Sequence, residues 1–184
     1  VQEHERVKKS LVTDPPGRYH AVYAAGEGHP GTDSTFVPWP DVPPAKPGVG
    51  LAMEVALAIH LGSGDYWGER LAEHNLPVAP VETRRGTSAI TFTDPHGLPL
   101  TLHETGDERD FTPWRDSPVP VEKQIRRLHS VRLWERDIPV TASFLTGVLG
   151  FVDIGAANEG FGFVVGGGGW GRHPEGRMLG DGQG

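Results

Sequence analysis

The order of strand and helix patterns repeats along this chain, and that repeat limits the fold more than any other feature. Residues 51–105 show the order strand, helix, strand, strand, strand, and residues 125–165 begin the same order again. Residues 1–39 match the end of such a unit. A repeat of roughly 75 residues indicates units that bury a core only by packing on one another. We therefore predict an α+β fold of paired βαβββ modules, in which a curved half-barrel sheet carries its helices outside.

Prolines and glycines divide the chain into modules, linkers and a tail. We predict, in order, a partial module that lacks its first strand and most of its helix (1–39), a Pro-rich linker (40–50), a complete module (51–105), a second linker (106–124), a partial module that lacks its last strand (125–165), and a disordered Gly-rich tail (166–184). Because modules are incomplete at both ends and the first residue is not Met, we expect a truncated sequence.

A hairpin over residues 88–104 is the clearest local signal. Two runs of alternating apolar and polar residues flank a tetrapeptide that begins with Asp94 and ends with Gly97. Asp favours such turns by bonding nearby backbone, and Gly supplies a positive φ. The apolar face of the hairpin should pack on a helix. The opposite face carries polar side chains, Thr101 and His103 among them, and any chemistry would have to sit there.

Two helices are predicted between the strands. The first spans approximately residues 65–74, with Ser63 as a candidate N-cap and Asn75 placed for a left-handed C-terminal cap. Asp137 is a candidate cap for the second helix. Three apolar residues spaced by four lie along one face of that helix, namely Val140, Phe144 and Val148.

Charge and composition exclude several classes of function. The formal net charge is −7, which argues against nucleic-acid or membrane-surface binding, because either requires a basic patch. The short basic pairs Arg84-Arg85 and Arg126-Arg127 are interpreted as solvated strand ends. The chain has no cysteine, which excludes disulfides and thiolate ligands and fits a cytoplasmic protein. No apolar stretch is long enough to span a bilayer.

Five segments carry a resemblance to a known family. They are VKKSLVTDPPGRYHAVYA, HPGTDSTFVPWP, MEVALAI with DYWGERL, FTDPHGLPLTLHE, and SPVPVEKQIRRLHSVRLWERD with FLTGVLGFV. In order and spacing they resemble the vicinal-oxygen-chelate superfamily, which includes glyoxalase I, bleomycin-resistance proteins and extradiol dioxygenases. Within it, the chain is most similar to the glyoxalase-like ring-cleaving dioxygenases of hydroquinone breakdown. The resemblance implies an Fe(II)-dependent dioxygenase that takes a small aromatic diol and dioxygen.

The resemblance also implies where iron ligands would lie. Two imidazoles and one carboxylate leave coordination positions open for substrate. The first-strand position of the complete module falls on Glu54, and the last-strand position falls on Thr101, which is a poor Fe(II) ligand. In the next module the first-strand position is Ser130, preceded by His129, which should face the helix layer unless a bulge turns it. The candidates for a metal site are therefore Glu54, His129 and His103.

Other interpretations of these residues stay open. His129 also fits a hydrogen-bonded strand histidine, Glu54 a polar lining residue or a salt-bridge partner, and His103 a solvent-facing residue at a strand end. Tyr19 and Tyr23 share a strand face and, with Thr101, are candidates to line a substrate cavity. The chain taken alone also fits a metal-free small-molecule binding module of the bleomycin-resistance type, or a truncated, inactive family member. Strand edges left exposed by incomplete modules suggest a homodimer.

Overall fold

Two β-sheets and two helices make up the described part of the chain. The structure is a computed structural model that describes residues 5–12, 18–26, 28, 31–37, 43, 46–106, 111–157, 160–165 and 177–181. For residues 5–12, 18–20 and 177–181 it describes the backbone alone.

The first sheet has three antiparallel strands in the order in which they follow along the chain. They are β1 (Glu5–Val12), β2 (Arg18–Ala24) and β3 (Ser34–Phe36). Leu128 N–H donates a hydrogen bond to the Gly31 carbonyl over 2.9 Å. This bond connects the segment between β2 and β3 to the second sheet.

The second sheet has eight strands and contains two similar halves. Its strands are β4 (Ala52–His60), β5 (Glu82–Arg84), β6 (Thr87–Thr93), β7 (Pro99–Thr105), β8 (Arg127–Trp134), β9 (Phe151–Ala157), β10 (Gly160–Val165) and β11 (Arg177–Asp181), and the helices are α1 (Gly64–Glu73) and α2 (Ile138–Gly147). The strand order is β5-β6-β7-β4-β8-β11-β10-β9. The central strands β4 and β8 are antiparallel, and each has the last strand of its own half as a parallel neighbour. The predicted α+β fold of paired βαβββ modules is confirmed.

The strand β11 differs from the sequence prediction. Residues 166–184 were predicted to form a tail, and the module beginning at residue 125 was predicted to lack its last strand. In the structure, Arg177–Asp181 pairs with both β8 and β10. Those five residues therefore complete the second half of the sheet. Alternation within these five residues does not indicate a strand, because a strand between two others is specified largely by its neighbours.

The eight-stranded sheet is curved so that its outer strands approach each other. The turn between β5 and β6 contains Arg85, whose φ is 45°, followed by Gly86, whose φ is 87°. From this turn Arg85 Nη2 donates to the Gly155 carbonyl of β9 over 3.0 Å. Because β5 and β9 lie at opposite ends of the strand order, the contact requires the sheet to bend. The predicted half-barrel curvature is confirmed.

The predicted hairpin corresponds to β6 and β7. Asp94 Oδ1 accepts hydrogen bonds from the backbone N–H groups of His96 and Leu98, both at 2.8 Å. Gly97 has a φ of 94°, which is the left-handed conformation that the turn requires. The register pairs Ile90 with Leu102, so both apolar side chains lie on the same face of the sheet.

The main core lies between that face and α1. Trp67 and Leu71 of α1 are fully buried against Ile59, Ile90 and Leu102 of the sheet. The Trp67 indole N–H donates to the Lys123 carbonyl over 2.8 Å. Lys123 ends a short 3-10 turn in the predicted linker 106–124. This linker is thus packed onto the first module, with Val119 in the core.

The ends of both helices follow the sequence with one exception. Asn75 adopts the expected positive φ of 55° after α1, and Asp137 accepts a hydrogen bond from Val140 N–H at the start of α2. Ser63 occupies the N-cap position of α1, but its side chain makes no capping bond. Instead Glu104 of β7 accepts from Gly64 N–H over 2.8 Å. A carboxylate there also complements the helix dipole.

The second helix buries a different face from the one that its apolar spacing suggested. Leu145 is its buried residue, whereas Val140, Phe144 and Val148 are 64%, 52% and 69% exposed. Apolar residues lie on several sides of α2, so periodicity did not distinguish its two faces. Neither helix among the described residues combines the length and apolar character needed to span a bilayer.

Candidate functional site

The face of the eight-stranded sheet opposite α1, here called the inner face, is lined with polar side chains. In register across β6, β7, β4 and β8 it carries Thr91, Thr101, Ala56 and Ser130. Thr101 is fully buried, and its hydroxyl lies 2.9 Å from that of Thr91. Alternation along each strand separates these residues from the apolar core on the other face. The prediction that the polar face of the hairpin lies opposite the helix is confirmed.

An arginine is the centre of this inner face. Arg84 Nη1 donates to Glu54 Oε1 over 2.5 Å, and Arg84 Nε donates to Glu82 Oε2 over 2.9 Å. Arg84 Nη2 lies 3.3 Å from the Thr91 hydroxyl. The second oxygen of Glu54 lies 3.7 Å from Arg132 Nη1. The guanidinium thus contacts groups from three strands, and both oxygens of the Glu54 carboxylate face cations. We call these five residues the Arg84 cluster.

Burial makes the charges of the Arg84 cluster depend on one another. The side chains of Glu54 and Arg84 are each only 8% exposed. Desolvation lowers the pKa of Arg84, but the hydrogen bond and charge of Glu54, followed by those of Glu82, outweigh it and raise the pKa. Arg84 therefore remains cationic at neutral pH. The interpretation of Arg84 as part of a solvated strand end is wrong, because sheet curvature turns this side chain inward.

The Glu54–Arg84 contact crosses the curved sheet. Two strands lie between β5 and β4 in the strand order, so in a flat sheet three strand spacings of about 4.8 Å would separate their backbones by about 14 Å. The observed contact spans that gap with two side chains. The Arg84 cluster therefore lies inside the bend, where a cavity of a half-barrel would be.

A β-bulge determines where His129 points. Ala56 of β4 pairs with Ser130 of β8. The next residue, Leu57, pairs with Leu128, so the register shifts and His129 is the extra residue. An extra residue is turned away from strict alternation. The bulge therefore brings His129 to the inner face, as the sequence analysis required for any role of this residue in a site.

His129 and His103 lie against each other on the inner face. Their ring centroids are 4.1 Å apart, and the ring planes differ by 13°. His129 Nδ1 lies 3.0 Å from the Ser130 hydroxyl, and His103 Nδ1 lies 3.4 Å from the Thr87 hydroxyl. Both histidines are buried, with His103 only 5% exposed. The expectation that His103 faces solvent is therefore wrong, because the strand continues under the bend of the sheet.

Glu54, His103 and His129 do not form an iron site of two imidazoles and one carboxylate. The lone pair of an imidazole nitrogen lies in the plane of its ring, and metal–nitrogen bonds measure about 2.1 Å. Two nearly parallel rings 4.1 Å apart cannot both direct a lone pair at one ion over that distance. The Glu54 carboxylate is bound by arginine. Within the described ranges, no group of three histidine, aspartate or glutamate side chains is arranged to hold a metal ion.

The three predicted cavity residues lie on strands of two different sheets. Thr101 is buried under the Arg84 cluster. Tyr23 lies on β2 in the other sheet, where its ring makes an edge-to-face contact with Phe36 at 5.7 Å between centroids. The side chain of Tyr19 lies outside the described residues. A cavity role for this set therefore stays a prediction.

Sequence reasoning missed the arginines of the inner face. Glu82 and Arg84 alternate along a short strand and therefore share a face, which is the one local signal that pointed to a paired role. The partners lie in other strands: Glu54 is 30 positions before Arg84 in the sequence, and Arg132 is 48 positions after it. No periodicity connects residues at such separations, so the Arg84 cluster becomes visible only in the folded sheet.

Known proteins resemble this chain along most of its length. No protein-family model matches it. "Putative ring-cleaving dioxygenase MhqO" from Bacillus subtilis is 30% identical over 153 residues, which cover 83% of this chain and 48% of that protein. "Chlorohydroquinone/hydroquinone 1,2-dioxygenase" from Sphingobium indicum is 29% identical over 127 residues, covering 67% of this chain and 40% of that protein. This chain thus spans about half the length of the curated relatives that it matches.

Solved structures agree with the fold. The crystal structure of a "putative dioxygenase" from Bacillus subtilis superposes with a TM-score of 0.85 and 25% identity, over 97% of this chain and 56% of that one. A glyoxalase I variant from Zea mays superposes with a TM-score of 0.63 and 15% identity, over 97% of this chain and 60% of that one. Together with the paired βαβββ modules, these similarities show that the chain belongs to the vicinal-oxygen-chelate superfamily.

Proposed function

We propose that the protein to which these modules belong is a ring-cleaving dioxygenase that acts on a hydroquinone-like or catechol-like aromatic diol. The observation that carries the proposal is the similarity over 83% of the chain to a relative named as a ring-cleaving dioxygenase. The relative from Sphingobium indicum is named for chlorohydroquinone and hydroquinone, which supports an aromatic diol as the substrate class. Absence of cysteine supports a reducing, cytoplasmic location.

Fe(II) is the metal that this proposal needs, and the described residues do not supply its complete ligand set. In an open site, iron would bind the diol and dioxygen side by side. The ligand positions tested above hold a carboxylate bound by arginines, a buried threonine and two stacked imidazoles. We therefore assign no reaction step to these residues. Their contribution in the proposal is a rigid curved wall that carries fixed charges.

The test is an anaerobic Fe(II) titration of the purified protein that carries these modules, followed by oxygen uptake with hydroquinone and with catechol. The proposal expects uptake that requires both iron and a diol and that stops when a chelator is added. Arg115→Gln, which alters an exposed arginine, should behave as the wild type. Iron-loaded protein that consumes no oxygen with either diol would refute the proposed activity.

A metal-free binding module is the second candidate function, and the Arg84 cluster favours it. The Glu54 carboxylate is paired with two arginines, and the last-strand position holds a threonine. Such an inner face needs no metal to balance its charges. A ligand at 100 times its Kd stabilises a protein by about 2.7 kcal/mol. A binder should therefore show the same rise in Tm with a hydroquinone whether EDTA is present or not. An EDTA-sensitive rise would contradict this function.

We also propose a homodimer. The supporting observation is that β5 and β9 are the outer strands of the larger sheet, and outer strands present backbone groups that a second copy can pair with. Multi-angle light scattering should give a mass of twice 19.9 kDa. A monomer across the accessible concentration range would refute the dimer.

A further inference from the structure

We propose that the Arg84 guanidinium is the resident cation of the inner face. It stands beside Glu54 in the place that a divalent metal would otherwise take, and so makes this pair of modules independent of metal for its folding. The inference goes beyond the proposed function, because it concerns how the sheet is held together whether or not the protein acts as a dioxygenase.

The charge of the buried Glu54 carboxylate requires a cation beside it. A buried carboxylate is strongly unfavourable unless a cation and hydrogen bonds compensate it. The Glu54 side chain is 8% exposed, and its two oxygens lie 2.5 Å from Arg84 and 3.7 Å from Arg132. The lone pairs that a metal would need are therefore directed at guanidinium groups.

Arg84 gathers side chains from several strands. Its three nitrogens contact Glu54 on β4, Glu82 on β5 and Thr91 on β6. Thr91 continues the connection to Thr101 on β7 through a hydroxyl pair 2.9 Å apart. One planar group with five N–H donors thus links four strands.

Arg84 is also close to the two iron-ligand positions that the resemblance implies for the complete module. The first-strand position, Glu54, is bound by the guanidinium directly, and the last-strand position, Thr101, is reached through Thr91. The guanidinium is therefore connected to both ligand positions of the complete module. A guanidinium is held by its own backbone and does not exchange, so a chelator cannot remove it.

The experiment compares thermal unfolding of the wild type, Arg84→Met and the exposed control Arg115→Gln, each with EDTA and with Mn(II), a metal that carboxylates bind. Arg84→Met should lose about 10 °C in Tm, because a buried carboxylate loses its main partner. Saturating Mn(II) should restore about 5 °C to Arg84→Met and should add nothing further to the wild type. Mn(II) electron paramagnetic resonance should show an ion bound in the variant that disappears when Glu54→Gln is added.

If Arg84→Met folds, two results would overturn the inference. One is an Arg84→Met variant that is as stable as Arg115→Gln, or that is destabilised and gains nothing from Mn(II). The other is Mn(II) bound in the wild type and lost in Glu54→Gln.

If Arg84→Met does not fold, the Arg84→Lys variant provides the test. Its ammonium keeps a cation in place, so this variant should fold and its Tm should not change with Mn(II). A folded Arg84→Lys whose Tm rises with Mn(II) would refute the proposal. None of these readouts depends on oxygen uptake, so failure here and failure of the dioxygenase proposal are distinguishable.

Discussion

Removing both charges of the Glu54–Arg84 pair should cost less stability than the sum of the two single changes. The pair is buried, with 8% exposure on each side chain, and removal of one member of a buried pair typically costs about 3–5 kcal/mol. Here Glu54→Gln leaves Arg84 with Glu82, whose side chain is 57% exposed, so we expect about 3 kcal/mol. Arg84→Met leaves Glu54 with Arg132 alone at 3.7 Å, so we expect about 4 kcal/mol.

The double variant Glu54→Gln/Arg84→Met should lose only about 2–3 kcal/mol, because no buried charge is left uncompensated, and the coupling energy is then about 4–5 kcal/mol. Urea unfolding followed by tryptophan fluorescence, to which the fully buried Trp67 contributes, measures all four states of the cycle. Since the pKa of Arg84 is raised in the folded protein, its charge contributes stability below its ordinary titration range and loses that contribution only as the pH rises through the raised value. The coupling should therefore not weaken between pH 7 and 9. Additive single costs would refute the reasoning.

Four further substitutions test the packing of the two helices and the hairpin turn. Trp67→Phe should cost about 2–3 kcal/mol in urea unfolding, because it leaves the Lys123 carbonyl unpaired and opens a cavity; a cost near zero would contradict this contact. Leu145→Ala should cost about 2–4 kcal/mol, whereas Phe144→Ala on the exposed face of the same helix should cost less than about 1 kcal/mol; equal costs would mean that the exposed face is covered. Asp94→Ala should lower the Tm by about 2–4 °C, because two turn hydrogen bonds are lost; an unchanged Tm would show that the turn forms without them.

Local signals in the sequence were sufficient for the hairpin and for most of the helix ends. Asp94 and Gly97 set the turn through contacts within four residues, and Asn75 ended α1 by its own backbone conformation. The paired-module architecture followed from the repeat, since two βαβββ patterns have few ways to bury their apolar faces. These features share one property, which is that the deciding interactions are short in sequence or periodic.

The inner face could not be predicted in the same way. The pairing of Glu54 with Arg84 depends on the bend of the sheet, and the position of His129 depends on a bulge relative to β4. Strand β11 depends on neighbours on both sides. Each of these features is decided by contacts between distant segments, and a pattern of alternation carries no information about them.

The separation of core and site on opposite faces of one sheet explains how this fold persists while its chemistry changes. The apolar residues that hold α1 to the sheet, such as Trp67 and Leu102, lie on the face away from the Arg84 cluster. Substitutions on the inner face therefore leave that core intact, provided that buried charges remain paired. A TM-score of 0.63 at 15% identity to a glyoxalase I variant is what such a division predicts. Since the fold is kept at 15% identity, the fold alone does not determine which cation lies beside the carboxylate on the inner face, and in this chain Arg84 lies there.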